Sequence, residues 1–201
     1  MAFIRSHRQS PLALYVAGEM ISKSFSVPAT DLEEILARNC HISDTARAAR
    51  FCRQAEQARY FCKDIHYPDV PLHTPTFDTT LLSAHIRPGH VMLIDCWASW
   101  CGPCRAAIPA VKALYDKYDR DRFDVISISL DSKKEDWQKA LEEEKMPWPQ
   151  FIAGNRGYEQ LTLRYNINSI PNLILIDDKG QVVCNTFSPE EISIELEEIL
   201  R

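Results

Sequence analysis

The stretch HVMLIDCWASWCGPCR, residues 90–105, passes from a nearly continuous apolar run to two cysteines three positions apart. An apolar run of this length reads as a buried strand. The residues after Cys101 read as a helix over 102–119, with Pro109 kinking it. The cysteine pair therefore falls at a strand-to-helix junction. It can be a redox dithiol, half of a metal site, or two core cysteines that happen to be close.

A structural zinc site needs four ligands, usually two such pairs. Here there is a single Cys-x-x-Cys, and His7, His41, His66, His73, His85 and His90 are dispersed. No metal site and no cofactor are expected. The dithiol fits better because of its position. The free N–H groups and dipole of a helix N-terminus favour an anion. Such placement brings a cysteine pKa from about 8.5 to about 7, a preference for the thiolate of about 2 kcal/mol. Cys101 is then the attacking thiol. Cys104, one turn on and deeper, is the resolving thiol that closes a Cys101–Cys104 bond. Pro103 stiffens the first turn and removes a donor.

Working outward, FDVISISL (123–130) reads as a strand with alternation at its centre, and KEDWQKALEEEK (134–145) as a helix stopped by Pro147. GYEQLTLRYN (157–166) is a short helix. LILID (173–177), DDKG and QVVCNTF (181–187) form a hairpin. SPEEISIELEEILR (188–201) opens with a Ser cap and Pro at the first helical position. Strands alternating with helices, then a hairpin, imply an α/β sheet with parallel and antiparallel parts.

Upstream, YPDVPLHTPT (67–76) holds three prolines and reads as a linker or extended edge segment. The first 66 residues show no strand. Ser10-Pro11, the capping box Thr30/Glu33, and the Ala- and Arg-rich run after Ser43 each open a helix. Charge shifts across the same point, nine Lys/Arg against seven Asp/Glu before it and fourteen against twenty-one after it. Two regions are expected, a helical segment over 1–66 and a domain over 67–201.

The 201 residues are 45% hydrophobic, enough for a sizeable core. A net charge of -5 and a pI near 5.7 argue against nucleic acid or an anionic membrane as partner. No run of about 18 apolar residues is present to span a bilayer. Seven cysteines at irregular spacing are not a disulfide scaffold. Cys40, Cys52, Cys62, Cys96 and Cys184 read as small buried hydrophobes. A secretory signal is not legible at the N-terminus, which suggests a cytosolic or a trimmed chain.

IDCWASWCGPCR (94–105) resembles the active-site stretch of thioredoxins. With RAAIPAVKALYDKY, ISISLD and SIPNLILIDDKG it is similar to the TlpA/ResA-like branch of thiol-disulfide oxidoreductases, over about residues 70–201. The helical leader resembles the region before that domain in Bacteroidetes-type envelope proteins of the group. The resemblance implies a thioredoxin-like mixed sheet flanked by helices, preceded by an all-helical N-terminal segment. It implies an enzyme that reduces protein disulfides through a mixed disulfide. It implies an upstream thiol-disulfide electron donor, and a periplasmic or envelope location through an anchor absent from this chain. Scattered cysteines point instead to the cytoplasm.

The resemblance also assigns residues. Asp95 matches the buried acid of the family, and burial at the end of an apolar strand should raise its pKa. It can then take the proton of Cys104. Pro171 matches the family's cis-proline, with Ile170 presenting backbone to an extended substrate. Asn172 follows where the family often has Thr. Trp100, Gly102 and Pro103 shape the substrate surface, and Trp97 is either core or part of it. Where thioredoxin has a lysine near the acid, VISIS offers only Ser127 or Ser129. Cys96 should point away from Asp95's face. Arg105 either holds a thiolate or is a solvated helix residue. Two other functions are open: a binding or assembly module that docks a partner through its leader, and peroxide reduction. The latter lacks its Pro-x-x-x-Thr/Ser-x-x-Cys environment.

Overall fold

A computed structural model of the chain describes Thr30, Asp31, Glu34 and residues 66–201 except 166. Thr30, Asp31 and Glu34 are helical. Glu33 and the helices expected at Ser10 and Ser43 lie outside the described residues, as do Cys40, Cys52 and Cys62. Contacts group the chain into two compact units, residues 1–65 and 66–201, and the second carries the sheet.

Seven strands form its sheet: β1 (Pro71–His73), β2 (Thr79–Leu81), β3 (Val91–Trp97), β4 (Phe123–Ser129), β5 (Gln150–Ile152), β6 (Asn172–Ile176) and β7 (Val182–Thr186). Their order is β2-β1-β5-β4-β3-β6-β7. β3, β4 and β5 run parallel, while β6 and β7 form the expected antiparallel hairpin. The proline-rich 67–76 stretch contributes β1, which pairs with β2 and β5. Its Pro71 opens the strand, where a missing N–H is tolerated.

Four α-helices flank the sheet: α1 (Gly102–Lys117), α2 (Lys134–Glu144), α3 (Gly154–Tyr165) and α4 (Pro189–Ile199). On one face, Val91 and Leu93 of β3 pack with Val111 and Leu114 of α1, Trp148, and Ile192 and Leu196 of α4. Trp137 and Ala140 of α2 join the same side against Trp97. α3 covers the other face, where its Tyr165 lies near Cys96. Every residue of β3 is buried. So is β4 apart from half-buried Asp124, so the alternation read at its centre does not appear as alternating exposure. A strand covered on both faces has no solvent side to write into its sequence.

Local chemistry sets the helix ends. α4 starts on Ser188, whose Oγ accepts Glu191 N–H at 3.3 Å, with Pro189 at the first position. α2 ends at Lys145 in a left-handed conformation, φ 48°, two residues before Pro147. α3 begins three residues earlier than its pattern suggested. Gly154, at φ 61°, makes the turn out of β5 that other residues resist.

Candidate active site

The loop from β3 to α1 is a tight turn closed by Cys101 N–H on Ala98 O at 3.0 Å. It delivers Cys101 as the N-cap of α1, where its Sγ accepts the N–H of Cys104 at 3.2 Å. Cys101 and Cys104 are joined as a disulfide, S–S 2.02 Å and Cα–Cα 5.3 Å. Cys104 was expected to lie deeper, yet in the disulfide the two are alike, 4% and 3% exposed. The pair belongs to an apolar cluster with Trp97, Ala98, Trp137, Ala140 and Ile152, against which Phe77 and Ile170 pack. Trp97 is thus core. Trp100 stands 69% exposed, and Gly102 and Pro103 are exposed on the first turn. A side chain at Gly102 would meet nothing within 4 Å.

The Ile170–Pro171 bond is cis and leads directly into β6. Asn172 is buried beside β3, paired with Cys96, and gives its Nδ2 to Asn185 Oδ1 at 2.7 Å. A groove of about 380 Å³ runs along Trp100, Leu130, Tyr158, Ile167, Asn168 and Ile170. Trp100 and Ile170 were read from sequence. Tyr158 and Leu130, brought in from α3 and the end of β4, were not.

Asp95 sits inside β3, 5% exposed, paired in register with Ser127 of β4. Ser127 Oγ donates to Asp95 Oδ2 at 2.8 Å. Of the two candidates in VISIS it is therefore Ser127 that meets the acid. Ser129 donates instead to Asp131 Oδ2 at 2.7 Å. Burial pushes the Asp95 carboxyl from 3.8 up to about 6, and the Ser127 bond works against that rise. Cys96 lies buried on the opposite face, its thiol held well above its ordinary pKa by burial and then by Asp95's charge. Arg105 is not turned toward the sulfurs. Its guanidinium pairs with Glu143 at 2.8 Å and Glu144 at 2.5 Å, tying α1 to α2.

The sequence reading missed Asp131, 4% exposed just beyond β4. It accepts Ser99 N–H at 2.9 Å and Ser99 Oγ at 2.7 Å, anchoring the loop before Cys101. It also missed Trp148, whose indole N–H reaches Ser127. The nearest signal was a tryptophan set between two prolines, MPWP, ahead of β5. Among the described residues no cluster of His, Cys, Asp or Glu could hold a metal, and no helix is long and apolar enough to cross a membrane.

A thioredoxin-like family model matches residues 89–182, the span from the start of β3 to the start of β7. The chain is 30% identical to the structure assigned as thiol:disulfide interchange protein DsbE of Chlorobium tepidum. That match covers 70% of this chain and 96% of that one, with a TM-score of 0.59. The chain belongs to the thioredoxin-like thiol-disulfide oxidoreductases. It is 26% identical over 133 residues to thiol-disulfide oxidoreductase ResA of Geobacillus kaustophilus, covering 62% of this chain and 75% of the relative. The same fold is seen in the thioredoxin domain of the Bacteroides vulgatus thiol-disulfide oxidoreductase BVU-2223. There the TM-score is 0.63 at 23% identity, over 70% of this chain and 99% of that one. As a thioredoxin-like oxidoreductase, the protein carries its redox centre in the Cys101–Cys104 pair, and its reaction is thiol-disulfide exchange at this pair.

Proposed function

We propose that the protein reduces protein disulfides, with Cys101 as nucleophile and Cys104 as resolving thiol. The observation that carries this is the Cys101–Cys104 disulfide at the N-terminus of α1, Cys101 being its cap. In the reduced enzyme the Cys101 thiolate attacks one sulfur of a client disulfide. The client S–S bond breaks and the first client thiolate leaves, taking a proton from water. Asp95 takes the proton of Cys104, whose thiolate attacks Cys101 Sγ and expels the second client thiolate. Two electrons pass from the dithiol to the client, and an upstream dithiol partner restores the enzyme. The client chain lies along the groove by Trp100, over Gly102 and Pro103, and against the Ile170–Pro171 backbone.

The groove's exposed aromatic rings, Trp100 and Tyr158, support a polypeptide client rather than a small thiol. The likeness to the TlpA/ResA-like branch supports an envelope location. The grouping of contacts at residues 65 and 66 supports a separate N-terminal segment followed by a domain over 67–201.

Reduced protein is expected to cleave the disulfides of insulin, and Cys101→Ser to abolish this. Cys104→Ser is expected to accumulate a mixed disulfide through Cys101. Undiminished turnover by the Cys101→Ser variant defeats the assignment.

A further inference from the structure

Asp95 is held by a hydrogen-bond chain that runs one way. Trp148, between α2 and β5, gives its indole N–H to Ser127 Oγ at 2.8 Å. Ser127 Oγ lies 2.8 Å from Asp95 Oδ2. An indole nitrogen donates and cannot accept. Ser127 has one proton to give, and its other acceptor within reach is Met146 Sδ at 3.9 Å, a weak one. The proton therefore goes to the carboxylate, and Trp148 keeps the opposite side of the hydroxyl occupied.

We propose that Trp148 and Ser127 are positioning residues that orient the Asp95 carboxylate and lower its affinity for a proton. The proposal rests on the reading in which Asp95 receives the proton of Cys104. The surroundings leave this work to the chain. Odd-numbered residues of β3 share a face, so Asp95 lies between Leu93, packed against α1 and α4, and Trp97, packed against the disulfide. β6 brings Leu173 opposite it, and the segment after α2 brings Met146 and Trp148. The titratable groups are Cys104 in the first turn of α1 and Cys101 at its cap, each only when its sulfur is freed from the disulfide, and Cys96, which points to the other face. Asp95 has no ion-pair partner among the described residues; burial raises its pKa and the Ser127 bond opposes that. Neutral dipoles aimed at a buried carboxylate stabilise its charged form.

The test uses the full chain with Ser127→Ala, Ser127→Thr and Trp148→Phe. The Asp95 carboxyl carbon is titrated by NMR. In parallel, the pH dependence of mixed-disulfide closure is followed by release of a chromogenic thiolate from Cys101. Ser127→Ala is expected to move the Asp95 midpoint upward by about 1 pH unit, the loss of one charge-assisted hydrogen bond. Trp148→Phe moves it the same way by less, Ser127→Thr restores it, and the rate profile follows the midpoint. An unmoved midpoint in Ser127→Ala overturns the proposal, whatever happens to activity. If that variant does not fold, an unmoved midpoint in Trp148→Phe does the same. A merely structural serine would lower the melting temperature and leave the midpoint in place. A midpoint that moves while the rate profile stays put upholds the hydrogen-bond chain and removes Asp95 as the proton acceptor.

Discussion

Asp131 grips Ser99 twice, through its backbone N–H at 2.9 Å and its hydroxyl at 2.7 Å, across 32 residues of chain. Ser99 is the residue between Ala98 and Trp100, inside the turn that closes on Cys101. The loop carrying the nucleophile is therefore fastened to the end of β4, rather than held by α1 alone.

Removing that grip should be costly. Asp131→Ala leaves the buried hydroxyl of Ser129 and the Ser99 N–H without their acceptor. Bonds to a charged acceptor contribute about 1.5–3 kcal/mol each, and orphaned partners add to the loss. A destabilisation of at least about 3 kcal/mol is expected in urea unfolding of the oxidised protein. A change below 0.5 kcal/mol would show that the loop does not depend on Asp131.

Asp95 makes stability depend on pH. Its folded pKa of about 6 is raised above the ordinary 3.8, so between these values the native state binds more protons than the unfolded chain. Stability then falls as pH rises from about 4 to about 6 and stays lower above that. The difference of about two units corresponds to about 3 kcal/mol. Asp95→Asn should therefore unfold at higher denaturant at pH 7.5 and match the parent protein at pH 4, while closing mixed disulfides more slowly. Equal stabilisation at both pH values would point to packing instead of ionisation.

Trp100 should matter for clients and little for the fold. At 69% exposure its replacement by Ala is expected to change stability by less than about 0.5 kcal/mol. Loss of an aromatic anchor costs about 1 kcal/mol or more of contact, so KM for a protein disulfide should rise roughly 5- to 10-fold with kcat little changed. Tyr158→Ala should act in the same direction, and steady-state kinetics with a protein and with a small disulfide separate contact from chemistry.

Gly157 marks where α3 presses on β1. A Cβ there would stand 2.6 Å from Pro71 O, a backbone atom that cannot swing aside. Alanine gains about 1 kcal/mol in helix preference but overpacking costs about 1–3 kcal/mol. Gly157→Ala is expected to destabilise by up to about 2 kcal/mol, read as a lower urea midpoint. A stabilised variant would mean that α3 shifts freely over β1.

Much of this molecule was legible along the chain because its signals are local. The apolar run, the Cys-x-x-Cys after it, the Ser188–Pro189 start of α4 and the β6–β7 hairpin depend on residues a few positions apart. The cis bond at Pro171 came from likeness to a family, since either isomer of an X-Pro bond is accessible to an isolated chain. Which serine meets Asp95 was left open, because the choice depends on the parallel register of β3 and β4. Asp131, Trp148 and the Glu143 and Glu144 partners of Arg105 were equally out of reach. Each finds its partner across 20 or more residues. Sequence alone determined that a dithiol would cap a helix at the end of a buried strand, because strand, turn and cap are short-range choices of the backbone. Only the folded sheet decided which polar groups surround that dithiol and its acid, because burial forces each to find whatever partner the neighbouring strand and helix bring within about 3 Å.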